Sequence, residues 1–299
     1  MCGKRLAPAL ALWLPHYPRH YGPLLPTQKK LLGSVSAATL DRLLAQCKAR
    51  AAAERNGTRP GTLLRPQVPL PGEVWDQRRL GFLEADSVAH CGSGLVGSFL
   101  WSLTYTDLAR TWTAGRAVWN QGAPGVTEQT REVEGRLPFA LRGMDFDNGS
   151  EWLNWTLIRY LQVRTRPVRV TRSRPYHKDD NAHGEQKNWR WPRQLLGYGR
   201  LEDPTLVPRI NARYTAAWEP LQNFFRPSAK LAAKWREGSR WGRRHDRPRT
   251  AYERLLAHGE LGTKARRELR DRYQALDPFG LAADVERRLQ PILGAALND

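Results

Sequence analysis

Apolar and polar positions alternate with different periods in different parts of the chain. Over residues 36–50, Leu40, Leu43, Leu44 and Cys47 recur at helical spacing on one face, with Ser34 or Ser36 placed to cap. A shorter helix is expected over 27–32, closed by Gly33. Two short helices joined tightly suit a helix-turn-helix, with 36–50 as its recognition helix. Between Asn56 and Gly72 the pattern dissolves into Gly57, Pro60, Gly61, Pro66, Pro69, Pro71 and Gly72, which marks a linker and a domain boundary.

Beyond the linker the period shortens to two. Residues 80–86 read as a strand ending at an acid, 94–107 as a second, and 111–119 as a third on alternating Trp112, Ala114, Ala117 and Trp119. A turn at 122–125 leads into a helix over 126–137, with Thr127 as its candidate cap. A fourth strand is expected over 139–146. An amphipathic helix follows over 150–163, carried by Trp152, Trp155, Leu157, Ile158 and Leu161. A strand at 168–172 and a helix running through Glu185 complete the order β-β-β-α-β-α-β-α. That order predicts an α/β fold, a mixed sheet with helices packed on it. The expected organisation is a helical segment over 1–55, a linker over 56–74, a core over 75–225 and a basic, helical region over 226–299. Helices are expected there at 251–272 and 281–297.

Composition narrows the partner. The 299 residues hold 48 Lys and Arg against 29 Asp and Glu, a formal charge of +19, which points to a polyanion rather than a small metabolite. Hydrophobic residues at 40% and twelve Trp exclude a disordered basic tail. Cys2, Cys47 and Cys91 are too few and too scattered for a disulfide framework or a cysteine zinc cluster. The sequence has no run of the ~18–20 apolar residues that span a bilayer, so no membrane partner is expected. Leu6 to Leu14 behind Lys4-Arg5 has the outline of a short leader. It lacks a small-residue cleavage site and meets Pro15 and Pro18, so it reads as a helix end or a loop. The charge is skewed: residues 159–272 carry +16 of the +19. A solvated surface mixes its signs more evenly, so the skew marks a phosphate-binding face.

Against that positive field, acids at strand ends stand out. Asp86 ends the first strand. Asp145 and Asp147 end the fourth, in Gly143-Met-Asp-Phe-Asp-Asn-Gly-Ser-Glu-Trp152. Glu185 lies in Asn181-Ala-His-Gly-Glu-Gln-Lys-Asn188. Converging carboxylates bind hard divalent cations, and two such ions can clamp the attacking and leaving oxygens of a phosphoryl transfer.

The segments Glu84-Ala-Asp86-Ser, Asp147-Asn-Gly-Ser-Glu-Trp152 and Arg174-Pro-Tyr-His-Lys-Asp-Asp-Asn-Ala-His-Gly-Glu185-Gln-Lys-Asn-Trp189 resemble the integrase core of bacterial insertion-sequence transposases and retroviral integrases. This is the DDE superfamily, and the resemblance spans about residues 34–230. It implies an RNase H-like mixed five-stranded sheet, an N-terminal helical segment, and a basic helical C-terminal extension. It implies Asp86, Asp147 and Glu185 as the catalytic, metal-binding triad, with 38 positions separating the last two. Asp145 is the alternative second acid; Asp147 stands directly before Asn-Gly-Ser, as the motif requires.

Further expectations follow from the same resemblance. The cofactor would be two Mg²⁺ or Mn²⁺ ions. The partner would be double-stranded DNA, both element ends and target, bound by a homo-oligomer in the bacterial cytoplasm at the nucleoid. The reaction would be metal-dependent strand cleavage followed by strand transfer. Two rivals are a catalytically impaired DNA-binding remnant and an RNase H-like nuclease. Only about fifty residues precede the linker, so the helix-turn-helix region is expected to be truncated. Gly184 and Pro192 interrupt the helix expected around Glu185. His183 could contact phosphate or support Glu185. The expected DNA contacts are Lys178, Lys187, Arg190 and Arg193 near the third acid, and Arg240, Arg243 and Arg244 downstream. The downstream group interleaves with Trp235 and Trp241.

Overall fold

A computed structural model describes residues 1–47, 78–146, 152, 154–172, 192–237 and 240–296, with side chains throughout except at Arg240 and 288–296. The 56–74 linker lies outside the described residues.

The apolar run near the start forms helix α1 (Gly3–Trp13). Helices α2 (Pro26–Ser34) and α3 (Ala37–Leu43) follow, joined by Val35 and Ser36. Ser36 caps α3 by accepting from the Thr39 amide at 3.1 Å. Asp41 of α3 accepts from the Gly3 amide at 2.9 Å, tying the start of α1 to α3. The expected apolar face of 36–50 is only partly realised: Leu40 is buried, but α3 stops at Leu43, which is 71% exposed.

Five strands form one mixed sheet: β1 (Phe82–Ala89), β2 (Leu100–Asp107), β3 (Thr113–Trp119), β4 (Gly143–Phe146) and β5 (Arg169–Arg172). Their spatial order is β3-β2-β1-β4-β5. The first three are an antiparallel meander, whereas β4 runs parallel to β1 and β5 parallel to β4. The parallel connections need crossovers, supplied by helix α4 (Ala123–Arg136) before β4 and α5 (Trp155–Gln162) before β5. The expected order β-β-β-α-β-α-β is thus present, and the final helix through Glu185 lies outside the described residues.

Several boundaries differ from expectation, for local reasons. The first strand does not end at Asp86 but runs on to Ala89, paired with β2 throughout. The helix expected over 126–137 starts at Ala123, inside the expected turn, with Gly122 rather than Thr127 at its cap; Pro124 suits the first turn, and Thr127 Oγ1 donates back to the Ala123 carbonyl at 2.8 Å. The second strand starts at Leu100 rather than 94, because Gly92 and Gly97 adopt positive φ angles of 59° and 87°. Arg200 holds that loop by donating to the carbonyls of Cys91, Gly94 and Val96. The fourth strand starts at Gly143 rather than 139, where pairing with Phe82 of β1 begins. Gly81 sets this start: its carbonyl accepts from the amides of Arg142 and Gly143. A Cβ at Gly81 would stand 2.1 Å from the Ala140 oxygen, and φ is +89°, so only glycine fits. The helix expected over 150–163 starts at Trp155, where Asn154 caps by accepting from the Leu157 amide at 2.8 Å.

Downstream of the sheet, α6 (Leu206–Arg213), a π-helical turn (Tyr214–Trp218) and α7 (Glu219–Phe225) form one continuous rod. The basic region beyond it is not all helical as expected. It opens with an antiparallel hairpin of β6 (Leu231–Glu237) and β7 (Arg240–His245), held by the pairing of the two strands from Leu231–His245 to Glu237–Arg240. The helix expected over 251–272 is divided into α8 (Ala251–Leu256) and α9 (Thr263–Ala275), with Gly259 and Gly262 between them. Helix α10 (Pro278–Ala296) follows.

Two apolar layers enclose the sheet. Leu83, Ala85, Leu103, Tyr105, Met144 and Phe146 face α4 and α5 through Val126, Val133, Leu157 and Leu161. On the other side, Leu100 and Ala117 meet Ile210, Tyr214, Leu221 and Phe225 of the rod. Tyr252, Leu255 and Leu269 of α8 and α9 join this second layer, and Leu12 and Trp13 of α1 pack against it. The two ends of the chain also meet: Trp13 Nε1 donates to the Phe225 carbonyl at 3.1 Å, and His20 bonds Asp277 at 2.8 Å. No helix among the described residues is long and apolar enough to cross a membrane.

Candidate active site

Side chains alternate across a strand, so the faces of β1 and β4 follow from their apolar members. Leu83, Ala85, Met144 and Phe146 lie in the α4/α5 layer. Glu84, Asp86 and Asp145 therefore occupy the opposite face. The register places Glu84 directly across from Asp145, and Ala85 across from Phe146. Asp86 and Glu84 are both buried, at 8% and 5% exposure. Thr104 and Thr106 of β2 stand beside Asp86 and Glu84 on the same face, and Thr171 of β5 stands beside Asp145. The centre of the sheet thus carries a polar band of carboxylates flanked by hydroxyls.

Two of these carboxylates are held by local hydrogen bonds. Asp86 Oδ1 accepts from the Ser87 amide at 2.7 Å, and Thr104 Oγ1 donates to the Asp86 carbonyl at 3.4 Å. Thr171 Oγ1 donates to Asp145 Oδ1 at 2.5 Å. Phe146 is the last described residue of β4, and Asp147 is the next in sequence. Past the motif, Trp152 is fully buried, stacked on Phe146 with ring centroids 5.2 Å apart and edge-on to Tyr105 at 5.7 Å. Full burial of such a ring stabilises by about 2–3 kcal/mol. Trp152 therefore anchors the chain that has just left β4, five positions after Asp147.

Asp147, His183 and Glu185 lie outside the described residues, as do Lys178, Lys187 and Arg190. Among the described residues, no group of three or more His, Cys, Asp or Glu is placed to hold a metal ion. Of the expected triad, Asp86 alone has a described position. Asp145, the alternative second acid, faces the same side of the sheet one strand away.

Arg193, one of the expected DNA contacts, makes contacts within the fold. Its Nη2 donates to the Ala89 carbonyl at the end of β1 at 2.9 Å, and its guanidinium lies 4.9 Å from the Tyr198 ring centre. It fastens the β1 terminus. Beside it, His90 is fully buried and bonds Ser102 at 2.8 Å; Ser102 in turn bonds the Tyr214 hydroxyl at 3.0 Å. Burial, assisted by the Arg193 charge, pushes the His90 pKa down to about 3, so its imidazole is neutral at ordinary pH. Tyr214 reaches this chain because Gly115 leaves room: a Cβ there would stand 2.8 Å from the Tyr214 ring. The His90–Ser102–Tyr214 chain therefore bolts β1, β2 and the helical rod together behind the carboxylates.

The second expected basic group lies on the hairpin. Arg240 is in β7, and Arg243 and Arg244 of the same strand are exposed. Lys234 pairs with Arg243 and Arg236 with Trp241, so these four share one face. Lys234 Nζ stands 4.6 Å from the Trp241 ring centre, and the Arg236 guanidinium 5.9 Å from it. Trp235 and Trp241 are 44% and 56% exposed, unusual for rings of that size.

The hairpin is fixed to the sheet rather than appended to it. Lys230 Nζ donates to the carbonyls of Leu108 and Ala109 at 2.6 and 2.9 Å, at the end of β2. Asp246, just past β7, receives the buried Arg254 of α8 at 2.5 and 3.0 Å, and Arg254 also donates to the Ser228 carbonyl.

Reading the sequence alone missed Glu84, Thr171 and the His90 chain as parts of this face. The alternation of Leu83 and Ala85 with Glu84 and Asp86 carried a signal for Glu84. Nothing local marked Thr171 or Tyr214, which arrive through pairing and packing.

No family model matches the sequence. Over 253 residues the chain is 36% identical to the uncharacterized protein y4rM of Sinorhizobium fredii, an alignment covering 83% of this chain and 71% of that protein.

Proposed function

The chain belongs to the family of the Sinorhizobium fredii protein y4rM, and from its own motifs and sheet we propose that it is a DDE-type transposase or integrase with an RNase H-like core. One observation carries this reading. The parallel β1–β4 pair, central in the order β3-β2-β1-β4-β5, puts Asp86 and Asp145 on one face with Asp147 next in the chain. Adjacent parallel strands lie about 4.8 Å apart, so acids at neighbouring register positions converge. The motif segments around Asp147 and Glu185 support it, and so does the exposed cationic hairpin.

The donor set fits a hard divalent cation, since carboxylate oxygen is what Mg²⁺ and Mn²⁺ prefer and Asp86 presents it from a rigid, buried strand. Asp86, Asp147 and Glu185 would hold two such ions. When bound, the ions polarise the phosphodiester and acidify the attacking hydroxyl. The protein's own residues supply the rest. Trp152 and the His90–Ser102–Tyr214 chain keep the strands fixed so that the acids need not reorganise. Arg240, Arg243 and Arg244 draw in the DNA backbone. The reaction is one substitution at phosphorus performed twice. Water first cuts a strand at the element's end, and the freed 3′-hydroxyl then attacks a phosphodiester of target DNA.

The test is strand transfer with Mg²⁺ or Mn²⁺ on duplex DNA carrying the terminal repeats that flank the gene. The full chain should join those ends to a target, and Asp86→Ala and Asp147→Ala should bind DNA without joining it. Equal joining by Asp147→Ala would overturn the assigned site. DNA binding without any metal-dependent cleavage would leave a DNA-binding remnant instead.

A further inference from the structure

On the sheet edge away from the carboxylates, β3, α4, α7 and α9 enclose a small cleft with room for one water-sized guest. Its polar lining is Arg116 of β3, Arg136 of α4, Glu219 and Asn223 of α7, and Arg272 of α9. Arg116 is 1% exposed. It donates to Glu219 at 2.6 Å, to the Gly115 carbonyl at 2.6 Å and to Glu132 at 3.3 Å. Its remaining nitrogen, Nη2, is buried without a hydrogen-bond partner among the described residues. A buried guanidinium donor left unmatched is costly, more so than a neutral one.

The charges around the cleft do not balance. Glu219 is already engaged by Arg116 and by the Gly115 amide at 3.0 Å. Arg136 and Arg272 add two further guanidinium groups. Arg272 lies 5.5 Å over the Phe224 ring; burial lowers its pKa, the Glu219 charge opposes this, and the Arg136 charge adds to it. Three cations thus meet one buried carboxylate, with Glu132 paired at the rim. Like charges held together this way are relieved by an anion.

We infer that this cleft is a binding site for a single oxyanion, a phosphate group, held by Arg116, Arg136 and Arg272 with Asn223 beside them. The site accepts the tip of a phosphate: one oxygen enters the cleft toward Arg116 while the others meet Arg136 and Arg272 at its mouth. The phosphate can come from free inorganic phosphate or from a DNA backbone, because the recognised chemistry is the same. The inference stands apart from the catalytic reading, since no residue of the cleft belongs to the carboxylate face.

The experiment is titration of inorganic phosphate into the full chain, followed by ³¹P line broadening and calorimetry, in parallel with Arg136→Gln, Arg272→Gln and the surface variant Lys264→Gln. The expected result is one saturable site, weakened about tenfold or more in the first two variants and unchanged in the third. Conserved melting temperature in Arg136→Gln, an exposed position, separates lost binding from lost fold. A short duplex that displaces the phosphate identifies a DNA backbone as its source, and a duplex that does not identifies a free oxyanion. No saturable binding, or binding equally strong in Arg136→Gln and Arg272→Gln, overturns the site.

Discussion

Glu84 of β1 stands directly opposite Asp145 of β4, with Asp86 two positions along the same face. Parallel pairing is what joins them, since 61 positions separate Glu84 from Asp145 in the sequence. Asp145 is also engaged from its other side, where Thr171 of β5 donates to its Oδ1. Asp145 thus serves a contact within the sheet, whereas Asp147 is the acid that stands directly before Asn-Gly-Ser in the sequence.

The first prediction follows from that difference. Asparagine at 145 keeps an oxygen for Thr171 and nearly the same shape. Asp145→Asn should keep single-turnover strand transfer within about tenfold of the parent. Asp147→Asn should lose about a thousandfold or more, the scale of several kcal/mol of transition-state stabilisation. The reverse ranking would make Asp145 the second acid.

The second prediction concerns acid stability at the hairpin base. Burial pushes the Asp246 pKa up, but hydrogen bonds and charge from Arg254, with the Lys230 amide, outweigh it and hold the carboxyl below its ordinary value. A carboxyl whose folded pKa is depressed lends stability above its unfolded pKa of about 4. That stability is lost as pH falls through the lower, folded value. Melting temperature followed from neutral pH downward should therefore fall below about pH 4. Asp246→Asn should be less stable at neutral pH and show a shallower fall. Parallel curves for parent and variant would show that the pair contributes nothing to stability.

The third prediction concerns the hairpin as a DNA-binding surface. Each phosphate contact removed should reduce the slope of log affinity against log salt by about 0.9. Arg243→Gln and Arg244→Gln should each show that reduction on any duplex, with little dependence on sequence. Trp241→Ala should weaken binding with the slope less changed, because it removes a stacking surface rather than a charge. Fluorescence anisotropy across a salt series measures both quantities. Slopes unchanged in both arginine variants would move the DNA surface elsewhere.

Much of the architecture was legible in the chain, because secondary structure follows local periodicity. The order of three strands, helix, strand, helix and strand follows from alternation in 111–119 and helical spacing in 150–163. Boundaries were less legible. The second strand began later than its composition suggested, since Gly92 and Gly97 take backbone angles a strand does not permit. The region 226–299 was expected to be helical, with helices at 251–272 and 281–297, and the hairpin within it was not foreseen: Trp, Arg and Lys are tolerated in both structures, and only pairing of β6 with β7 decided between them.

By itself the sequence determined the residue types and their spacing: acids among apolar strand residues, cations gathered after residue 158, and the motifs around Asp86, Asp147 and Glu185. The tertiary structure decided what each described residue meets. It set Glu84 against Asp145 by the β1–β4 register and gave Thr171 to Asp145 through β5. It gave Arg193 the Ala89 carbonyl as a partner. It also gathered Arg116, Arg136 and Arg272 from three separate elements around one cleft. The physical reason is that strand pairing and packing join residues far apart in the chain, and local pattern carries no record of those partners.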